Sequence, residues 1–145
     1  MHRYVHFLFF AKEKGGYNFD LGVFSTKKNA LQKIEQVKDT VGFRDYPKEC
    51  FIIEKKAVKD FSKGEKISGK SLYWIDHMYE LEEDGKEYLC WTHCGYYRYK
   101  KDAVKALERY KTKTRFGKKY PDEFYLDRIR VDDFESIWDE GFVPL

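Results

Sequence analysis

Cys90, Trp91, Thr92, His93 and Cys94 place two thiols and an imidazole within five residues, the donor types that hold zinc. A strand through this segment would separate Cys90 from Cys94 by roughly 13 Å at about 3.3 Å per residue and turn His93 to the opposite face. Zinc ligands converge on one ion at about 2.0 to 2.3 Å, so this spacing argues against a metal site and for half-buried strand residues. His77, with Asp76 and Glu80 beside it, has the residue types of an acid/base centre, because imidazole titrates near neutrality. On an extended strand Asp76 and His77 face opposite sides, which leaves His77 a structural or surface role. Cys50 has no histidine in its sequence context and is expected to be a small core residue. No phosphate-cradling G-x-x-x-x-G-K-[ST] loop is expected, and the patterns G-x-G-x-x-G, H-E-x-x-H and G-x-S-x-G are absent. The sequence therefore predicts no catalytic, cofactor-binding or metal-ligating residue, and a protein that is not an enzyme.

Charge carries more information. Arg98 to Lys119 holds ten basic residues against Asp102 and Glu108, whereas Tyr120 to Leu145 holds eight acidic residues against Arg128 and Arg130; the whole chain is only +3. Lys101, Lys105 and Arg109 recur at i, i+4 and i+8, one face of a helix, and Lys111, Lys113, Arg115, Lys118 and Lys119 extend the basic stripe into the following loop. Like charges at that spacing repel by a few tenths of a kcal/mol per pair, so either acidic neighbours or an anionic partner is expected. Three readings follow. The stripe is a solvated face balanced by the acidic stretches Asp76 to Glu87 and Asp122 to Glu140, or it docks on an acidic protein surface, or it binds nucleic acid. The last is helped by Tyr96, Tyr97 and Tyr99 and weakened by the low overall charge.

The elements that position these residues come from a repeat. Gly22 to Ala30 matches Gly95 to Ala103 at an offset of 73 residues, and the same offset pairs Ile34 with Leu107, Glu35 with Glu108, Lys38 with Lys111 and Phe43 with Phe116. One inserted residue later, Tyr46 to Glu49 faces Tyr120 to Glu123, and Phe61 and Phe134 close the copies. Position by position, the stripe residues Lys101, Lys105 and Arg109 correspond to Lys28, Gln32 and Gln36, so the basic face belongs to the second copy alone.

In copy one, Val5, Phe7 and Phe9 alternate with Tyr4, His6 and Leu8 as a strand. A turn at Gly15 and Gly16 leads to a second strand from Phe19 to Phe24. Ser25 or Thr26 caps a helix bearing Ala30, Leu31, Ile34, Val37 and Val41, which Gly42 ends, and Cys50 to Val58 is the last strand. Copy two gives strands from Leu72 to Leu81 and Glu87 to Tyr97 around a turn at Asp84 and Gly85. A helix follows, carrying Ala103, Ala106, Leu107 and Tyr110 inward, and then a strand from Phe124 to Val131. Arg98 and Tyr99 are poor caps for that helix. The predicted fold is α+β, with two tandem ββαβ units sharing a largely antiparallel sheet and two helices on one face. The expected divisions are a first repeat over 1–61, a linker over 62–70 and a second repeat over 71–145, whose Ile137, Trp138 and Phe142 pack back on the sheet.

Gly22-Val23-Phe24 leading into a helix, Gly42-Phe43-Arg44-Asp45-Tyr46-Pro47 as a loop, and the closing Trp138-Asp139-Glu140-Gly141-Phe142 together resemble a family of small bacterial domains of unknown function. The resemblance implies a fold and no activity. Copy two departs from it at Arg115 to Pro121, and copy one lacks the closing element. Composition adds that 42% hydrophobic residues, with 12 Tyr, 12 Phe and 3 Trp, suffice for a packed core despite 37% charge. An odd count of three cysteines and the lack of an apolar leader predict a cytoplasmic protein away from membranes. Compactness, charge polarisation and missing catalytic motifs lead to one expectation: a non-enzymatic bacterial or phage protein of the inhibitor or immunity type, covering a site on a partner protein. The alternative is a nucleic-acid-binding accessory protein.

Overall fold

The computed structural model describes residues 3–12, 18–62 and 64–143. The elements are β1 (Arg3–Ala11), β2 (Asn18–Phe24), α1 (Lys27–Val37), β3 (Phe51–Lys59), β4 (Ser71–Glu83), β5 (Lys86–Tyr97), α2 (Lys100–Lys113), α3 (Arg115–Lys119) and β6 (Phe124–Arg130), with short 3-10 turns at Phe43–Asp45 and Lys48–Cys50. The expected turn at Gly15 and Gly16 lies outside the described residues. The fold is α+β, with six strands in the order β2-β1-β3-β5-β4-β6 and three α-helices. β1 with β2 and β4 with β5 are antiparallel, whereas β3 and β5 pair in parallel through Val58 with Tyr96 and Lys59 with Tyr97, so the sheet is mixed.

By contact, residues 4–12, 18–56, 64–70 and 130–143 form one compact unit, and residues 3, 57–62 and 71–129 form another. In the first, Leu8, Phe10, Leu21, Phe24, Ala30, Ile34, Val37 and Phe43 make a core that also takes Phe142, with Phe134 and Trp138 packed against it. Trp138 stacks on Phe19 at 4.5 Å between ring centroids, while Ile137 points away and is 87% exposed. β1 is buried on both faces, since Val5 and Phe7 are as covered as Leu8 and Phe10. A strand with neighbours on both sides and covered on both faces needs apolar residues in succession, which the alternating reading of this segment misses.

α1 starts where expected, with Thr26 accepting from the Asn29 amide at 3.1 Å. It stops at Val37, short of Gly42: the Thr40 hydroxyl donates to the Val37 carbonyl, and Val41 and Leu31 are exposed. Gly42 serves a different purpose. At φ +88° it lets the chain pass the Phe142 backbone, whose carbonyl oxygen would lie 2.3 Å from any Cβ there. Residues 64–70, expected as linker, are anchored: Ile67 is buried, the Gly69 amide donates to the Val131 carbonyl, and the Val131 amide donates to that of Lys70.

In the second unit the β4–β5 hairpin turns at Asp84 and Gly85, both at positive φ (54° and 75°), the conformation for which Asp-Gly is suited. Ile75, Cys94, Tyr97, Ala103 and Ala106 form its core, ringed by Tyr73, Leu107, Tyr110, Phe116, Phe124 and Leu126.

Candidate functional site

α2 is a 14-residue helix, about 21 Å long at about 1.5 Å per residue. Ala103 and Ala106 are fully buried and allow it to lie close, so one face is fixed inward and the opposite face must carry the rest. Its start has no side-chain cap, as Tyr99 supplies none, and Asp102 provides the only acidic charge of the first turn. Lys111 and Lys113 sit in the last turn, where cations offset the negative end of the helix dipole. Thr114 ends α2 and begins α3, accepting from the Gly117 amide at 3.0 Å. Gly117 is buried, and a Cβ there would lie 1.9 Å from the Tyr110 carbonyl oxygen, so this corner requires glycine.

The eight stripe residues are thereby placed on α2 and α3. Lys101, Lys105, Arg109 and Lys113 are exposed along α2, Lys111 is half-buried, and Arg115, Lys118 and Lys119 are exposed on α3. Among the described residues none of the eight forms an ion pair. Lys101 and Lys119 instead lie over the rings of Tyr99 and Tyr120, at 5.9 and 5.5 Å. Tyr99 and Val104 are exposed on the same helix, apolar surface among cations.

α1 behaves differently. Lys33 is completely buried and pairs with Asp139 and the Phe134 carbonyl, while Lys38 and Lys48 both reach Glu35. Nor do the acidic stretches balance the stripe through direct pairs. Asp76 bonds His93 at 3.1 Å, Asp127 accepts from the Trp74 indole at 3.0 Å, and Asp132 accepts from the Ser25 amide and hydroxyl at 2.8 and 2.6 Å and from Asn29 at 3.2 Å. Asp133 accepts from the Glu135 amide, and Asp139 from Lys33 and the Ser136 amide.

The C-terminal end of the stripe opens into a pocket of about 280 Å³ lined by Lys59, Tyr97, Arg109, Tyr110, Lys113 and Thr114. Lys59, absent from the sequence-based candidates, arrives there because β3 pairs with β5 at Lys59 and Tyr97. Its ammonium lies 5.7 Å from the Tyr97 ring centre. Burial, then the neighbouring Tyr110, pushes the Tyr97 phenol up to about 12 against the pull of Arg109.

Of the residues that look most like chemistry in the sequence, Asp76, His77 and Cys94 are buried, Cys50, Cys90 and His93 are half-buried, and Glu80 is exposed. Asp76 faces His93 across the hairpin, and the Asp84-Gly85 turn already dictates that register. His93 Nδ1 meets Asp76, but its Nε2 is shut from solvent without a hydrogen-bond partner, with the Tyr96 and Trp74 rings at 4.8 and 6.3 Å. A substrate has no access to that nitrogen. His77 is fully buried among Phe116, Phe124 and Tyr79, and its Nε2 donates to the Tyr120 carbonyl at 2.9 Å. Burial, with the Asp76 charge second, pushes the Cys94 thiol up to about 11, far from the thiolate a nucleophile needs. Among the described residues no group of three His, Cys, Asp or Glu side chains is placed to hold a metal.

Missing from the sequence expectations is Gly64 to Ser71, which spells G-x-x-x-x-G-K-S, a phosphate-cradling pattern when it joins a strand to a helix. Here it runs into β4, and the Gly69 and Lys70 amides donate to the carbonyls of Val131 and Ile67. No helix N-terminus follows it, so the spelling lacks the geometry that gives it chemistry. Among the described residues no helix is long and apolar enough to cross a membrane. Comparison with protein-family models, curated proteins and solved structures finds no match to this chain.

Proposed function

We propose that the chain is a non-enzymatic macromolecule-binding protein of the inhibitor or immunity type, which uses the exposed face of α2 to cover an acidic site on a partner protein. The observation that carries this reading is the unpaired charge. Eight cations stand on α2 and α3 without an ion pair among the described residues, while Asp76, Asp127, Asp132 and Asp139, carboxylates that composition offers as counterions, bond elsewhere. A merely solvated face gains nothing from clustering like charges, whereas docking on an acidic surface converts the same cluster into steering and complementarity. Tyr99, Val104 and Arg109 supply the aromatic, apolar and guanidinium anchors that protein interfaces favour.

Nucleic acid is the second reading, supported by the same stripe. It is weakened by the acidic hairpin end, where Glu80, Glu82, Glu83, Asp84 and Glu87 stand in the unit that carries α2 and would repel a polyanion. We also propose that the two halves are diverged copies. Support comes from Gly22 and Gly95, both at positive φ (135° and 114°) beside a register shift, and from helices that begin 73 residues apart at Lys27 and Lys100. A cytoplasmic setting remains part of this proposal.

The test pairs the native protein with a Lys101→Gln, Lys105→Gln, Arg109→Gln variant, each presented to host extract and to single- and double-stranded DNA and RNA at low salt. A protein retained by the native chain and lost from the variant is expected. Retention of nucleic acid with a steep salt dependence selects the second reading, and equal retention by both chains removes α2 from the function.

A further inference from the structure

The pocket at the end of the stripe presents an unusual set of free donors. Tyr110 donates its hydroxyl proton to the Cys94 carbonyl at 3.0 Å, and Thr114 donates its own to the Tyr110 carbonyl. Tyr97 lines the same wall, its phenol buried and next to Tyr110. The Tyr110 and Thr114 hydroxyl protons are therefore used. The charged groups that meet a ligand are Lys59 Nζ, the Arg109 guanidinium and Lys113 Nζ, beside two tyrosines and with no carboxylate in the lining.

A neutral ligand leaves all three cations uncompensated, and one carboxylate neutralises only part of them. An acceptor-only group with two negative charges matches best. A phosphate monoester carries about −1.5 to −2 at neutral pH, and Arg binds it through two parallel N–H groups while Lys acts as a point charge. The cavity of about 280 Å³ falls near the lower bound of about 300 Å³ for ligand pockets, room for a phosphoryl group with a small organic body. We propose that Lys59, Arg109 and Lys113 form a receptor for a dianionic phosphoryl group, borne by free phosphate or by a small-molecule monoester. Tyr97 stays a neutral phenol well above physiological pH, so no anion in the wall opposes the ligand. Occupancy places two negative charges on the stripe and makes docking of an acidic partner depend on the ligand.

The experiment is a calorimetric titration of the full chain with inorganic phosphate, phenyl phosphate and acetate at low ionic strength. Four variants are compared: Lys59→Gln, Arg109→Gln, Lys113→Gln, and Lys101→Gln combined with Lys105→Gln. Saturable binding of both phosphates is expected, tighter for phenyl phosphate if the ring faces contribute, with acetate much weaker. Each pocket variant should lose about tenfold or more, in keeping with hydrogen bonds to charged groups, whereas the double variant, which removes more charge from the same helix, retains binding. Phosphate binding without phenyl phosphate binding restricts the site to the free ion and overturns the monoester part. No saturable binding, or an equal modest loss in all four variants, overturns the site by showing only diffuse attraction. No partner is needed, so failure here is distinct from failure of the docking proposal.

Discussion

Asp139→Asn should destabilise the protein more than Lys33→Met, although both substitutions remove one charge from the same pair. The Lys33 side chain is wholly buried and among the described residues its ammonium meets only Asp139 and the Phe134 carbonyl, whereas Asp139 is 31% exposed and also accepts from the Ser136 amide at 3.1 Å. Neutralising Asp139 strands a buried cation. Removing one partner of a buried pair costs about 3–5 kcal/mol, and the partial exposure of Asp139 lowers that to about 2–3 kcal/mol. Lys33→Met nearly keeps the length of the side chain, leaves Asp139 partly hydrated and leaves the Phe134 carbonyl its longer bond from Gln36 at 3.4 Å, a cost of about 1 kcal/mol. Urea denaturation of the two variants and of the double variant measures both terms and their coupling. At about 2–4 °C per kcal/mol for a chain of this size, the Asp139→Asn midpoint should fall by roughly 5–10 °C. A larger loss for Lys33→Met, or none for Asp139→Asn, would refute the view that a buried ammonium clamps the C-terminal segment to α1.

Three other outcomes follow from local geometry. Burial pushes the Asp132 carboxylate up, but hydrogen bonds from Ser25, Ser68 and Asn29 outweigh it and hold the group below its ordinary range. A depressed folded pKa contributes stability above the unfolded value of about 3.9 that is lost as pH falls through the folded value, so Asp132→Asn should be destabilised at pH 7 and converge on the native chain in acid; a gap independent of pH in thermal melts would contradict this. Cys94, buried and raised to about 11, should resist iodoacetamide at pH 7.5 until the protein unfolds, as read by mass mapping of labelled peptides, and native-state labelling faster than that of half-buried Cys50 would be the wrong result. Gly117→Ala should cost about 3 kcal/mol or detach α3, because its Cβ meets a backbone oxygen at 1.9 Å; a circular-dichroism melt within a degree of the native chain would show that the corner yields.

What the sequence made legible was local. The Asp84-Gly85 turn, the cap at Thr26, the weak start of α2 and most strand bounds follow from residue type and period, which act over a few positions. What it concealed was long-range. Asp132 meets Ser25 across 107 positions and Asp139 meets Lys33 across 106, so carboxylates that looked like counterions for the stripe bond elsewhere. Nothing near Lys33 in the chain announces its burial beside Asp139. The parallel seam between β3 and β5 brings Lys59 to the pocket, and no periodicity specifies which strands meet in that way. The Asp76–His93 pair was within reach: counting back from the two-residue turn places them opposite one another. The Gly64-to-Ser71 string shows the converse, since its spelling is local while its chemistry requires a helix that the chain does not place there.

The proposal stands or falls on the partner's affinity for the exposed face of α2. With the retained protein purified, its Kd should be measured by calorimetry at two salt concentrations against the native chain and against the Lys101→Gln, Lys105→Gln, Arg109→Gln variant. The variant should fold as stably as the native chain, or more so by a few tenths of a kcal/mol as like charges are removed. Its affinity should fall at least about tenfold and depend less on salt. A Kd unchanged by the three substitutions, with the same salt dependence, would contradict the assignment of function to this face.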